Sequence, residues 1–234
     1  MQTVKQKNQT ALQIAFDNLW QTMSERSHEI ATQRKATWEA QPEEEKQRLI
    51  ARQVEWEKRQ TEKLRIEQEK EWLNQGIAPR YFNATWENWI ADSPEKKNAL
   101  ETIKQAWIKN LFINGDNGTG KTHLAMCLTK DGATYRLLPE VFRSVRENLI
   151  GEQETINKLG ACQLLILDEA GRQKGTEFEQ NLLFEIIDKR WNNMLPTTII
   201  GNIDKKEFAK LYGTAILDRL RPEMITFTWG SKRV

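Results

Sequence analysis

The sequence predicts an α/β domain built on a five-stranded parallel sheet between helices, preceded by an all-α N-terminal extension. Three observations predict it. From Leu111 onward, short apolar runs alternate with helical patterns, the order that yields a parallel sheet with helices on both faces. The segment Gly115-Asp116-Asn117-Gly118-Thr119-Gly120-Lys121-Thr122 fits G-x-x-x-x-G-K-[ST] and lies between the apolar run Leu111-Phe112-Ile113 and a helix opening at His123-Leu124-Ala125-Met126. Residues 1–75 hold no glycine and a single proline, Pro42, amid Gln, Glu, Lys and Arg, a composition that favours helix throughout.

Two regions follow from this: a helical region over 1–75 and a compact α/β domain over 76–234. In the first, Leu12, Ala15, Phe16, Leu19, Trp20 and Met23 fall at helical spacing and make one apolar stripe. Pro42 followed by Glu43-Glu44-Glu45 reads as a fresh helix start, since proline suits the first turn and acids suit the positive end of the helix dipole. That helix is expected to run to about Gln75, with Gly76 as its C-terminal cap. Its apolar residues are sparse, so it bridges, pairs with another helix or takes a partner. Trp20, Trp38 and Trp56 recur every eighteen residues; they form a docking face for another protein or pack a helical hairpin within the chain.

From Gly76 the character changes. Gly76-Ile77-Ala78-Pro79-Arg80-Tyr81-Phe82 reads as a linker, and Asp92-Ser93-Pro94-Glu95 as the cap of a helix reaching about Lys109. Strands are expected at 111–114, 133–138, 163–167, 197–201 and 223–228. Helices are expected at 120–130, 139–149, 152–159, 176–193, 204–211 and 214–220. The residues after the last strand leave no room for a full C-terminal helical lid.

The glycine loop carries the chemistry. Its glycines let backbone N–H groups converge on an anion, and the following helix N-terminus adds positive potential. Lys121 is expected to reach the β/γ-phosphates of ATP or ADP and Thr122 to ligate Mg²⁺. A second signal is independent of the first. Leu164-Leu165-Ile166-Leu167 reads as a strand buried on both faces, and it runs into Asp168-Glu169. Asp168 suits Mg²⁺, usually through water, and Glu169 suits polarisation of an attacking water. Asn202, at the end of Thr197-Thr198-Ile199-Ile200-Gly201, either orients that water or closes a strand-exit turn. Arg219, with Arg221 in reserve, either complements a helix C-terminus or serves as an arginine finger in a neighbouring subunit's site. Arg233 in the tail either reaches the phosphates in cis or is solvated.

Composition bounds the partners. Lys and Arg number 35 against 33 Asp and Glu, a net charge of +2, so contact with nucleic acid must rest on local patches. Arg172 and Lys174 beside Phe178 form one such patch, with Arg143 and Arg146 as further candidates. Phe178 either stacks on a base or joins the core. Two cysteines, Cys127 and Cys162, exclude a disulfide framework and a Cys-only zinc site. No apolar run approaches the ~20 residues of a membrane span, and no export signal is visible, so a cytoplasmic protein is expected.

These residues together resemble the AAA+ ATPases, and closely the DnaC/DnaI helicase loaders. The likeness rests on residues 76–88 (Gly76 to Asn88), Gly118-Thr119-Gly120-Lys121-Thr122-His123-Leu124-Ala125, Leu164 to Gly171 and Leu217-Asp218-Arg219-Leu220-Arg221, and spans about residues 76–234. The resemblance implies a phage or bacterial ATPase whose helical region grips a DnaB-type hexameric replicative helicase and whose core binds single-stranded DNA and self-associates. It implies that Gly115 to His123 hold the nucleotide, that Asn202 is the first sensor residue, Arg219 the finger and Arg233 a second sensor, and that Thr176 and Phe178 contact DNA. The N-terminal region is longer and richer in tryptophan than the family pattern. An IstB-like transposase helper acting on double-stranded DNA is the alternative. The near-neutral, tryptophan-bearing N-terminal helices suit a protein partner better than a duplex, because counterion release needs basic residues. A small-molecule phosphotransferase on a phosphate-loop fold would need an acceptor pocket and a mobile lid, and neither is visible.

Overall fold

The computed structural model describes residues 40–230, together with Glu29, Ile30, Thr32 and Gln33. The stripe from Leu12 to Met23, Trp20, Trp38 and Arg233 lie outside the described residues. The chain divides into two compact units, Met1–Arg65 and Ile66–Val234.

Helix α1, Glu43–Asn74, opens on Glu43, Glu44 and Glu45 in its first turn. In the first unit Ile50, Val54, Trp56 and Leu64 of this helix are exposed. Intrahelical pairs such as Arg48–Glu44 and Arg59–Glu55 line its surface; each contributes only a few tenths of a kcal/mol. The helix ends as Gly76 predicts. Gly76 stands at φ +83°, its N–H donates to the Leu73 carbonyl and the Ile77 N–H to the Trp72 carbonyl. This is the paired closure that only a left-handed residue allows. Trp72 and Ile77 are both buried in the core of the second unit, so the last turns of α1 belong to that unit.

The second unit holds helix α2 (Pro94–Lys104), strand β1 (Leu111–Gly115), α3 (Lys121–Lys130), β2 (Thr134–Leu137), α4 (Leu138–Arg146), α5 (Glu152–Ala161), β3 (Leu165–Ala170), α6 (Glu177–Asn192), β4 (Thr197–Gly201), α7 (Lys205–Tyr212), α8 (Thr214–Leu220) and β5 (Glu223–Phe227). The strands pair in parallel in the order β2-β3-β4-β1-β5. Alternation along each strand feeds two cores. Leu111, Ile113, Ile166 and Ile200 face a core with Trp72, α2 and α3. Phe112, Leu165, Leu167 and Ile199 face a second core with α4 to α8. Among the described residues no helix is long and apolar enough to cross a membrane.

Three expectations need correction. The helix expected to reach Lys109 is α-helical only to Lys104, then tightens into a 3₁₀ turn over Gln105–Trp107. The helix expected over 139–149 stops at Arg146, because Asn148 adopts φ +52° and the Leu149 N–H closes back on the Ser144 carbonyl; asparagine tolerates this left-handed cap. The strand expected to end at Leu167 continues to Ala170, because the β3–β4 register shifts between Leu167 and Ala170 and pairing resumes at Ala170–Gly201. Asp168 and Glu169 therefore sit inside a bulge of the strand rather than beyond it.

One buried cation fastens the second core. Arg190 is 1% exposed. Its Nε donates to Thr197 Oγ1 at 2.8 Å, Nη1 to the Leu159 and Cys162 carbonyls at 2.7 and 2.8 Å, and Nη2 to the Pro196 carbonyl at 2.5 Å. It joins the end of α5 to the start of β4, and it shares the Pro196 carbonyl with the Leu165 N–H and the Leu159 carbonyl with the Cys162 thiol. Arg190→Met should fill similar space but take from the Cys162 carbonyl and the Thr197 hydroxyl the donor they have, and each buried orphan costs about 1–3 kcal/mol. The expected result is a loss of at least ~2 kcal/mol in urea denaturation; a loss under ~1 kcal/mol would mean that water replaces the guanidinium.

Candidate nucleotide site

The site lies where β1 gives way to α3, at the carboxyl edge of the sheet. The loop can turn only because of its glycines. Gly115, Gly118 and Gly120 have φ of +142°, +81° and +98°, values that disfavour side chains. Space is equally tight: a Cβ on Gly115 would stand 2.5 Å from the Phe227 carbonyl oxygen, and one on Gly120 would stand 2.3 Å from the Trp89 ring. Thr119, 1% exposed, donates its hydroxyl to the Asp116 carbonyl at 2.9 Å. Lys121, the first residue of α3, folds its Nζ into the curl of the loop and donates to the Gly115 and Asp116 carbonyls at 2.6 and 2.8 Å.

Thr122 and Asp168 meet as their types predict. Thr122 Oγ1 donates to Asp168 Oδ2 at 2.9 Å. The same oxygen accepts the Tyr135 phenol at 2.9 Å, and Oδ1 accepts the Glu169 N–H at 2.7 Å. Asp168 is 4% exposed. Burial pushes its carboxyl above the usual carboxylate range, against the pull of these three donors and of Lys121. Burial likewise pushes the Tyr135 phenol up, with the Asp168 charge beside it, so the phenol remains a donor. The hard oxygens of Thr122 and Asp168 match what Mg²⁺ selects.

Glu169 is half-buried and stands at φ +63°, an uncommon conformation for a residue with a side chain. Burial raises its carboxyl above the usual range, while Arg172 opposes the shift. Arg172 Nη1 pairs with Glu169 Oε2 at 3.0 Å. Asn202 Nδ2 donates to Asn117 Oδ1 of the loop at 2.7 Å. The end of β4 is thus brought onto the loop, as is the bulge of β3.

The remaining expected residues are dispersed. His123 turns its Nε2 to the Thr85 carbonyl at 3.1 Å and fastens α3 to the preceding linker. Arg219 pairs with Asp188 of α6 through Nε, and its guanidinium lies 4.3 Å from the centroid of the Phe184 ring. Thr176 caps α6 in a reciprocal box with Glu179. Phe178 is half-buried against the second core, and the Arg146 guanidinium lies 5.5 Å from its ring centroid. Arg143, Arg146, Arg172, Lys174, Thr176 and Phe178 line one cleft between α4 and the β3–α6 connection. Glu179 beneath it is 5% exposed and pairs with Arg146 at 3.0 Å.

Three residues were not singled out from sequence. Tyr135 is one. The others are Trp89, seated against Gly120, and Trp229, whose Nε1 donates to the Thr119 carbonyl at 2.9 Å. Trp89, Phe227 and Trp229 form one aromatic group, with ring centroids 4.4 to 6.4 Å apart. Trp89 follows directly on the linker motif and Trp229 opens the Trp-x-Ser-x-Arg segment of the tail, which are the available signals for them; Tyr135 reaches the site across strands and leaves none.

Asp168 generates a test by its sign. An unfolded aspartate titrates near ~3.9, and the folded value lies above it. The charge therefore costs stability as pH rises from the unfolded value through the folded one, and the cost persists above that. Without nucleotide or Mg²⁺, Asp168→Asn should raise the thermal midpoint at pH 8 by a few degrees over wild type, and the gap should close below about pH 4. A lower midpoint for the variant at pH 8 would refute the assignment.

Comparison with known proteins agrees with this geometry. Residues 90–223 match the family of IstB-like ATP binding proteins. The replicative helicase loader DnaC of Escherichia coli (strain K12) is 27% identical over 177 residues, covering 68% of this chain and 72% of that protein. The crystal structure of the DnaC helicase loader aligns with a TM-score of 0.57 at 21% identity, over 64% of this chain and 100% of that one. DnaI aligns with a TM-score of 0.57 at 20% identity, over 65% and 95%. At those identities the structures show the fold alone, a five-stranded parallel sheet between helices. With a nucleotide loop, a paired threonine and aspartate, and a family match over more than half its length, the chain belongs to the IstB-like ATP-binding proteins.

Proposed function

We propose that this protein is a DnaC-like helicase loader: a weak, regulatory ATPase that holds a DnaB-type hexameric helicase through its N-terminal helices and delivers it onto single-stranded DNA. The observation that carries the reading is the similarity to DnaC over 177 residues, joined to a complete phosphate loop. In the site, Lys121 would exchange its loop carbonyls for the β/γ-phosphates. Mg²⁺ would be held by Thr122 and, through water, by Asp168, and it supplies charge neutralisation between the phosphates. Glu169 and Asn202 would orient the attacking water. Arg219 would complete a neighbouring subunit's site and must leave Asp188 to do so. Arg233 is proposed as a second sensor of the phosphates.

The cleft lined by Arg143, Arg146, Arg172, Lys174, Thr176 and Phe178 suits a single strand: cations for phosphates and an aromatic face for a base. Arg172 serves two partners in this reading. Phosphate drawn to Arg172 releases the Glu169 carboxylate it now holds, so DNA should stimulate hydrolysis. The IstB-like alternative predicts preference for double-stranded DNA.

Because Trp72 and Ile77 are buried in the core of the second unit, the useful truncation point is Ile66 rather than the expected domain start at Gly76. Full-length protein should co-purify with the replicative helicase of its host, and protein beginning at Ile66 should not. Binding lost in neither case would put the interface elsewhere; binding by neither protein, with or without ATP, would end the loader reading. Phe178→Ala should weaken single-stranded DNA binding by ~1–3 kcal/mol in fluorescence anisotropy, and Arg172→Ala should lower the salt slope by roughly 0.7. Tighter binding to duplex than to single strands would favour the transposase-helper reading.

A further inference from the structure

Tyr135 is a phenol buried where a phenyl ring would fill the same space. It is 2% exposed and its ring belongs to the first core. A buried hydroxyl must find an acceptor, and here the acceptor is Asp168 Oδ2, at 2.9 Å. That oxygen also receives Thr122 at 2.9 Å, while Oδ1 receives the Glu169 N–H. Three donors from three directions fix the plane of the carboxylate. Without the phenol, the carboxylate keeps Thr122 on Oδ2 and the Glu169 N–H on Oδ1 and loses the donor that holds it from the edge strand.

The backbone of the same residue faces the other way. β2 is an edge strand, and the outward N–H of Tyr135 is taken by Gln75 Oε1 at 3.2 Å. Gln75 immediately follows the last residue of α1, in the closure made by Trp72, Leu73, Gly76 and Ile77. Tyr135 thus touches the cap of α1 with its backbone and the metal-side carboxylate with its side chain.

We propose that Tyr135 is a positioning residue that sets the Asp168 carboxylate for magnesium-bound nucleotide and ties that setting to the C-terminal cap of α1. This rests on the assignment of Thr122 and Asp168 to Mg²⁺ given above. A partner that shifts the end of α1 would act on the metal through Gln75 and Tyr135, with no direct contact to the nucleotide.

The test uses full-length protein and mant-ADP, titrated with MgCl₂ or held in EDTA and read by fluorescence. Tyr135→Phe should leave affinity in EDTA unchanged and raise the half-saturating Mg²⁺ roughly 10-fold, the lower end for loss of a partner that orients a metal ligand. Gln75→Ala should raise it less, and Tyr135→Phe with Gln75→Ala should match Tyr135→Phe alone, since both act through one hydroxyl. Should Tyr135→Phe not fold by circular dichroism, Gln75→Ala alone decides: an unchanged Mg²⁺ midpoint overturns the proposal. Equal losses in EDTA and in Mg²⁺ would make Tyr135 merely structural and overturn it too. Additive effects in the double variant would overturn the link to α1. If wild type shows no Mg²⁺ dependence, or Asp168→Asn keeps it, the metal assignment itself fails and the proposal falls with it.

Discussion

A single carboxylate out of water governs the centre of this molecule. Leaving a buried carboxylate ionised costs several kcal/mol unless donors surround it. Asp168 receives them from its own chain at Glu169, from the head of α3 at Thr122, and from the edge strand at Tyr135. Meeting that demand sets three elements against each other at one point. It also accounts for the bulge: with the Glu169 N–H turned back on Asp168, the strand cannot keep its ladder, and Glu169 is left at positive φ. The next pairing, Ala170 with Gly201, is close enough that a Cβ on Gly201 would meet the Ala170 carbonyl at 2.5 Å.

The phosphate loop is held in shape from outside as well as by its glycines. Trp89 arrives from the linker and seats against Gly120, and Trp229 arrives from beyond β5 and donates to the Thr119 carbonyl. Lys121 fills the interior from within. A loop braced on both sides loses little freedom when an anion enters, which is the physical meaning of a preorganised site.

The two cores divide the labour of the fold. The face with α2 and α3 carries the loop, the linker and the end of α1. The face with α4 to α8 carries the basic cleft and the Arg219–Asp188 pair. The bulge at Asp168 and Glu169 lies between them, with Asp168 bonded to α3 on one side and Glu169 paired to Arg172 of the cleft on the other. The two faces of the sheet therefore meet at two adjacent carboxyls.

The sequence by itself determined the period of each element and the chemistry of its punctuation. Alternating runs such as Leu164 to Leu167, the glycines of the loop, Gly76 as a helix end and the acids after Pro42 act locally, through sterics and dipoles that need no partner. The loop lysine and Thr122 were legible for the same reason: strand–loop–helix geometry leaves them one place to go. Only the tertiary structure decided what lies opposite. The Tyr135 phenol on Asp168, Trp229 on Thr119, Gln75 on the β2 edge and Arg219 on Asp188 join residues from separate elements. The exact end of β3 was decided there too, because a hydrogen bond across strands outweighed the local pattern. Contacts of this kind follow from how elements close over one another, and no spacing along the chain encodes that closure.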